Sequence, residues 1–148
     1  MKMPLKTFSR LLLALGVAGA GVLSFGCEAP AHAAVVKCSS ANLMDVAVKQ
    51  DCAVSVEQFS EQTSATIKVN TKRRQAHVVG DFTVAQGTVR IELRGSTGTD
   101  AEVTVTPEAP ASFESTLRLN RNDSSFRLRF YPEGEVTGLT GTVSYEAR

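Results

Sequence analysis

The sequence predicts an all-β fold, an antiparallel β-sandwich of jelly-roll or Ig-like type, preceded by a cleaved N-terminal signal peptide. Three observations predict it. From Val54 onward apolar and polar residues alternate with period two. Turn-forming clusters recur roughly every ten residues, the spacing of short strands in a sandwich or small barrel. The first 33 residues have the charge and hydropathy profile of an export signal, not of a domain.

The signal is read first. Lys2, Lys6 and Arg10 precede an apolar run over 11–25, and Ala31-His32-Ala33 supplies a small-residue cleavage site. The run falls short of the roughly 20 apolar residues of a membrane span. Residues 1–33 are therefore expected to leave, and residues 34–148 to form one domain. An alternative is lipidation at Cys27. Gly26 fits a lipobox, but Phe25 does not, and Leu23 lies four residues back. Cleavage removes Cys27 and lipidation consumes its thiol; either leaves Cys38 and Cys52, which an oxidising exported compartment would join as a disulfide. The loop they close, about 15 residues, is worth about 3 kcal/mol in the chain-entropy model.

The strands follow in order. Val54 and Val56 alternate with Ser55 and Glu57; Ile67 and Val69 with Thr66 and Lys68; Val89, Ile91 and Leu93 with Arg90, Glu92 and Arg94. Val103 and Val105 flank Thr104, Leu117 and Leu119 flank Arg118, and Phe126, Leu128 and Phe130 flank Arg127 and Arg129. Val143 and Tyr145 complete the set around Ser144. Strict alternation means one buried and one wet face, the signature of antiparallel sheets. Ala85-Gln86-Gly87, Gly95-Ser96-Thr97-Gly98, Asn120-Arg121-Asn122-Asp123 and Pro132-Glu133-Gly134 are the turns. Gly134, Gly138 and Gly141 are read as turns and a bulge before the last strand. Residues 42–50 fit either a strand or a short helix. Charge pairing suggests two registers: Leu119 opposite Ser124, which places Glu114 against Arg129 and Leu117 against Phe126, and Arg94 opposite Glu102.

The composition limits function. The chain is 43% hydrophobic and 6% aromatic, with no Trp and a net charge of +1. Cleavage of the signal removes three bases and one acid, tipping the balance to slightly acidic, which disfavours a dedicated nucleic-acid binder. His77 is the single histidine of the 34–148 domain and lacks a neighbouring nucleophile and orienting acid, so no catalytic residue is assigned. No metal signature occurs, and no cofactor is implied. Asn120–Ser124 offers Asx oxygens for Ca²⁺ but lacks the full loop pattern, and reads as an Asx turn. Lys72-Arg73-Arg74 is a small basic loop.

Arg90, Arg94, Arg118, Arg127 and Arg129 all take the polar parity of their strands, and Tyr131 continues that parity after Arg129. If those strands adjoin, one sheet presents a basic face with an aromatic contact, suited to planar anions of a glycan or a protein. Against this, Glu92, Glu102 and Glu114 can neutralise the same arginines. The expected function is an exported, non-catalytic binding module for a protein or glycan. The alternative is a structural envelope component, anchored at Cys27, without a small-molecule site.

Overall fold

The computed structural model describes residues 32–39 and 49–148; residues 1–31 of the expected signal, Cys27 among them, and most of the 42–50 segment lie outside them. The described chain is all-β. Its strands are β1 (Val35–Cys38), β2 (Lys49–Phe59), β3 (Thr63–Lys68), β4 (Gln75–Thr83), β5 (Gln86–Gly95), β6 (Gly98–Val105), β7 (Ala111–Arg118) and β8 (Ser125–Ala147). All pairings are antiparallel.

The 23-residue β8 organises the sandwich. Its first half lies between β3 and β5, with β6 beyond β5. Its second half lies between β2 and β4, with β1 beyond β2 and β7 beyond β4. One strand thus belongs to both layers. The crossing is at 133–138, where the β5–β8 register shifts and Gly87, Gly134 and Gly138 have φ of 89°, 76° and 65°. Only glycine takes that region without strain. A Cβ on Gly138 would also stand 2.8 Å from Ala85 Cβ. The glycines expected to precede the last strand therefore bend one continuous strand.

Between the layers lie the residues of apolar parity. Val54, Val56, Ile67, Val78, Ile91, Leu93, Leu128, Phe130 and Val143 are buried. Phe82 of β4 meets Phe130 of β8 edge-on at 6.2 Å, and Phe126 meets Tyr145 at 5.8 Å, so each contact joins the layers. Gly80 and Gly141 make room for this packing: a side chain there would strike the rings of Phe113 and Phe82. Cys38 and Cys52 are opposite each other in the β1–β2 ladder and form a disulfide with a sequence separation of 14.

Both expected registers are corrected. β7 does not pair with β8; it pairs with β4, so that Glu114 faces Val79 and Leu117 faces Ala76. Residues 119–124 form an arch between layers. Leu117 and Phe126 both point inward, from opposite layers. Charge pairs worth about 0.2–1 kcal/mol cannot outweigh burial of a whole strand face. In the β5–β6 hairpin, Arg94 faces Thr99 and Glu92 faces Glu102. The turn is tighter than expected, with Gly95 opposite Gly98, and the ladder slips at a bulge between Leu93 and Arg94. Asp100 holds that slip by accepting the Gly95 N–H at 2.8 Å.

Candidate functional site

The outer face of the β6-β5-β8-β3 layer carries the polar parity of four strands. Register places Arg90 beside Tyr131, Glu92 beside Arg129 and Arg94 beside Arg127. On the far side of β8, Ser64 lies beside Arg129 and Thr66 beside Arg127. Four of the five sequence-selected arginines, with Tyr131, thus share one surface. Arg118 does not: it ends β7 in the other layer, opposite Gln75.

Glu92 is the hub. It is 8% exposed, although its position is on the outer parity, because longer side chains cover it. Arg90 Nη1 donates to its Oε1 at 2.7 Å, Arg94 Nη1 to its Oε2 at 3.3 Å, and the Tyr131 hydroxyl to Oε2 at 3.3 Å. Burial works against ionisation of Glu92, but these three donors outweigh it and hold its pKa below the ordinary 4.5. Arg90 Nη1 also donates to Glu102 at 3.0 Å, and its guanidinium sits 4.3 Å from the centroid of the Tyr131 ring. The hydrogen bond to Glu102, against the cost of burial, and then that to Glu92 raise the Arg90 pKa.

Two like-charge cross-strand pairs result, Glu92 opposite Glu102 and Arg94 opposite Arg127. Arg90 bridges the first. The second is relieved on one side, since Arg94 turns to Glu92. Arg127 and Arg129 form no ion pair among the described residues. The arrangement is a fixed platform, Tyr131–Arg90–Glu92, next to two uncommitted guanidinium forks. Such forks bind planar oxyanions in bidentate fashion. Neutralisation by the glutamates is partial: Glu92 and Glu102 engage Arg90 and Arg94, whereas Glu114 pairs with His77 across the other layer at 3.0 Å.

His77 also contacts Thr116 Oγ1 at 3.2 Å through Nδ1, so its neighbours are an acid and a hydroxyl on one adjacent strand. Among the described residues no group of three His, Cys, Asp or Glu side chains could hold a metal. The Asn120–Ser124 segment is an Asx turn, with Asn120 Oδ1 accepting the Asn122 N–H at 3.0 Å and Asp123 Oδ1 accepting from the Ser125 hydroxyl at 2.6 Å. Two of its side-chain oxygens, Asn120 Oδ1 and Asp123 Oδ1, are thus engaged within the turn.

Sequence reasoning missed Glu92 as the centre of the face, because periodicity shows which side a residue takes and not which neighbours meet over it. It also missed Ser64, Thr66 and Lys68 of β3; their alternation was visible, but the β3–β8 pairing was not.

No family model matches the chain, and no curated protein does. Similar solved structures include one described as "CBM4 structure and function", 8% identical over 68% of this chain and 71% of that one, TM-score 0.37. The CBM22-1 xylan-binding domain from Paenibacillus barcinonensis Xyn10C is 13% identical over 77% of this chain and 81% of that one, TM-score 0.42. The CBM36-1 domain of a multidomain xylanase from the hindgut metagenome of Trinervitermes trinervoides is 9% identical over 61% and 75%, TM-score 0.35. Each of these TM-scores is below 0.5.

Proposed function

We propose that the chain is an exported, non-catalytic module that binds a glycan through the Arg-bearing face of the β6-β5-β8-β3 layer. The observation that carries this reading is the Tyr131–Arg90–Glu92 platform beside the uncommitted Arg127 and Arg129. A ring held rigidly by its hydroxyl and by a stacked guanidinium gives a sugar a flat apolar contact without an ordering cost. The neighbouring forks and the hydroxyls of Ser64 and Thr66 match the oxygen-rich edge of a sugar. A protein partner fits less well. Protein interfaces have an apolar, aromatic centre, whereas the one exposed large apolar side chain among the described residues is Val35 on β1. Export is supported by the basic and apolar N-terminal segments and by the Cys38–Cys52 disulfide.

The test is affinity electrophoresis through gels containing soluble polysaccharides. Wild type is expected to be retarded by at least one of them, and Tyr131→Ala with Arg129→Ala to run as if in a blank gel. Equal retardation of wild type and the double variant would exclude this face.

A further inference from the structure

A second basic surface lies at one end of the sandwich, where four chain segments converge. Arg74 O accepts the Leu119 N–H at 2.9 Å, Gln75 O accepts the Arg148 N–H at 2.9 Å, and Arg118 O accepts the Ser96 N–H at 2.8 Å. These backbone bonds fix a groove of about 870 Å³ whose cationic lining is Arg74, Arg118, Arg121 and Arg148. Gln75, Asn120, Asn122, Ser96 and Thr97 supply amides and hydroxyls, and no Asp or Glu side chain lines it. The residues come from four separate stretches of sequence: Arg74 and Gln75 after the basic loop, Ser96 and Thr97 of the β5–β6 turn, the end of β7 with the arch expected only to turn, and Arg148.

The groove does not stand alone. A smaller depression of about 260 Å³, lined by Arg94, Arg127 and Arg129, shares Ser96 and Asn120 with it. A continuous run of arginines therefore leads from the sheet face round the end of the sandwich. Of these arginines only Arg94 has an acidic partner among the described residues, Glu92; like charges held together with so few counter-ions raise the local potential and attract anions. Repeated forks along one path match a chain with repeated anionic groups.

We propose that this groove is an anion-binding subsite and that the ligand is an acidic polysaccharide, its carboxylate or sulfate groups held by Arg118 and Arg121. The groove stands on its own geometry; its continuity with the sheet face as one ligand track rests on the function proposed above. A nucleic acid is the poorer fit, because single strands bind by stacking bases on aromatic side chains; no aromatic residue lines the groove, and the one aromatic residue at the smaller depression, Phe126, has its side chain buried in the core. The amides and hydroxyls between the arginines suit sugar hydroxyls.

The experiment titrates the signal-cleaved chain with polygalacturonate, dextran sulfate, neutral mannan, polyglutamate and oligo-dT at low salt. Arg118→Gln/Arg121→Gln and Arg127→Gln/Arg129→Gln are titrated alongside, with thermal melts confirming that both fold. The proposal expects binding to an acidic polysaccharide and none to mannan. Each double variant should weaken that binding about tenfold or more, the scale of losing charge-assisted hydrogen bonds. Preference for polygalacturonate identifies carboxylate as the anion, and preference for dextran sulfate identifies sulfate; both support the proposal. Unchanged affinity in Arg118→Gln/Arg121→Gln, with loss in Arg127→Gln/Arg129→Gln, overturns the groove and leaves the face. The reverse pattern overturns the face and leaves the groove. Binding of mannan, or of polyglutamate or oligo-dT as tightly as either acidic polysaccharide, overturns the ligand class.

Discussion

The two outer faces of the sandwich come from the same alternation and differ in how their charges meet. On the β1-β2-β8-β4-β7 layer, no like charges stand directly opposite in the ladders, and several polar side chains meet opposites or hydroxyls. Lys49 lies opposite Glu146, His77 bonds Glu114, the Ser144 hydroxyl donates to Asp51 at 2.5 Å, and Thr83 and Thr140 bond each other at 3.1 Å. On the β6-β5-β8-β3 layer, Glu92 opposes Glu102 and Arg94 opposes Arg127. Such like pairs each cost a few tenths of a kcal/mol to about 1 kcal/mol. A surface selected for stability alone would not retain two of them. Local conflict on an otherwise consistent fold marks the place where a binding role competes with stability.

The largest perturbation should erase the difference between the faces, because both rest on one core. Phe130→Ala removes the ring that meets Phe82 across the layers. It should cost about 3–5 kcal/mol, and chemical denaturation should show one transition in which both faces are lost together. Two resolved transitions would mean that the layers are separate units.

The disulfide should separate the faces. Cys38 and Cys52 tie β1 to β2, in the layer opposite the arginines. Cys38→Ser/Cys52→Ser should lower stability by about 3 kcal/mol and leave polysaccharide affinity unchanged where the chain remains folded. A loss of affinity in folded protein would mean that the Arg face depends on the opposite edge.

Glu92→Gln should perturb the Arg face itself, costing about 1–2 kcal/mol by replacing a carboxylate that accepts from three donors with a neutral amide that keeps one acceptor oxygen. The effect has a pH signature. The folded pKa of Glu92 is depressed below 4.5, so its contribution is complete above that value and is lost as pH falls through the folded pKa. Wild type and Glu92→Gln should therefore differ in urea midpoint at pH 7 and converge in strong acid. A difference that persists at low pH would assign the effect to packing. The smallest change is His77→Gln on the opposite face. Its partner Glu114 is 69% exposed, so less than about 0.5 kcal/mol should be lost, with no change in binding.

Much of the fold was legible because burial imposes a period. Most strands from Val54 onward announced their inner face, although β4 was not read from its sequence and β8 was read as two strands with a turn at Pro132-Glu133-Gly134; the compartment inferred from the leader implied the Cys38–Cys52 bond. Pairing was not legible. The 119–124 segment has the residues of a hairpin turn, and an Asx turn does form there, yet it passes the chain from one layer to the other. Nothing in Asn120–Ser124 distinguishes a hairpin from an arch; the choice lies with β4, which claims β7 along Ala111–Arg118. For the same reason Arg118 could not be assigned to its layer from parity alone. Arg127 and Arg129 needed only the parity of their own strand, and their place beside Tyr131 followed.

The central claim is that the conflicted face, and not the balanced one, meets the ligand. Amide and arginine side-chain NMR shifts recorded during titration with oligogalacturonates test it most directly. The account predicts shifts at Arg90–Arg94 and Arg127–Tyr131, extending to Ser96 and Arg118. Shifts confined to the opposite face, at Thr83, Thr140 and Thr142, would contradict it.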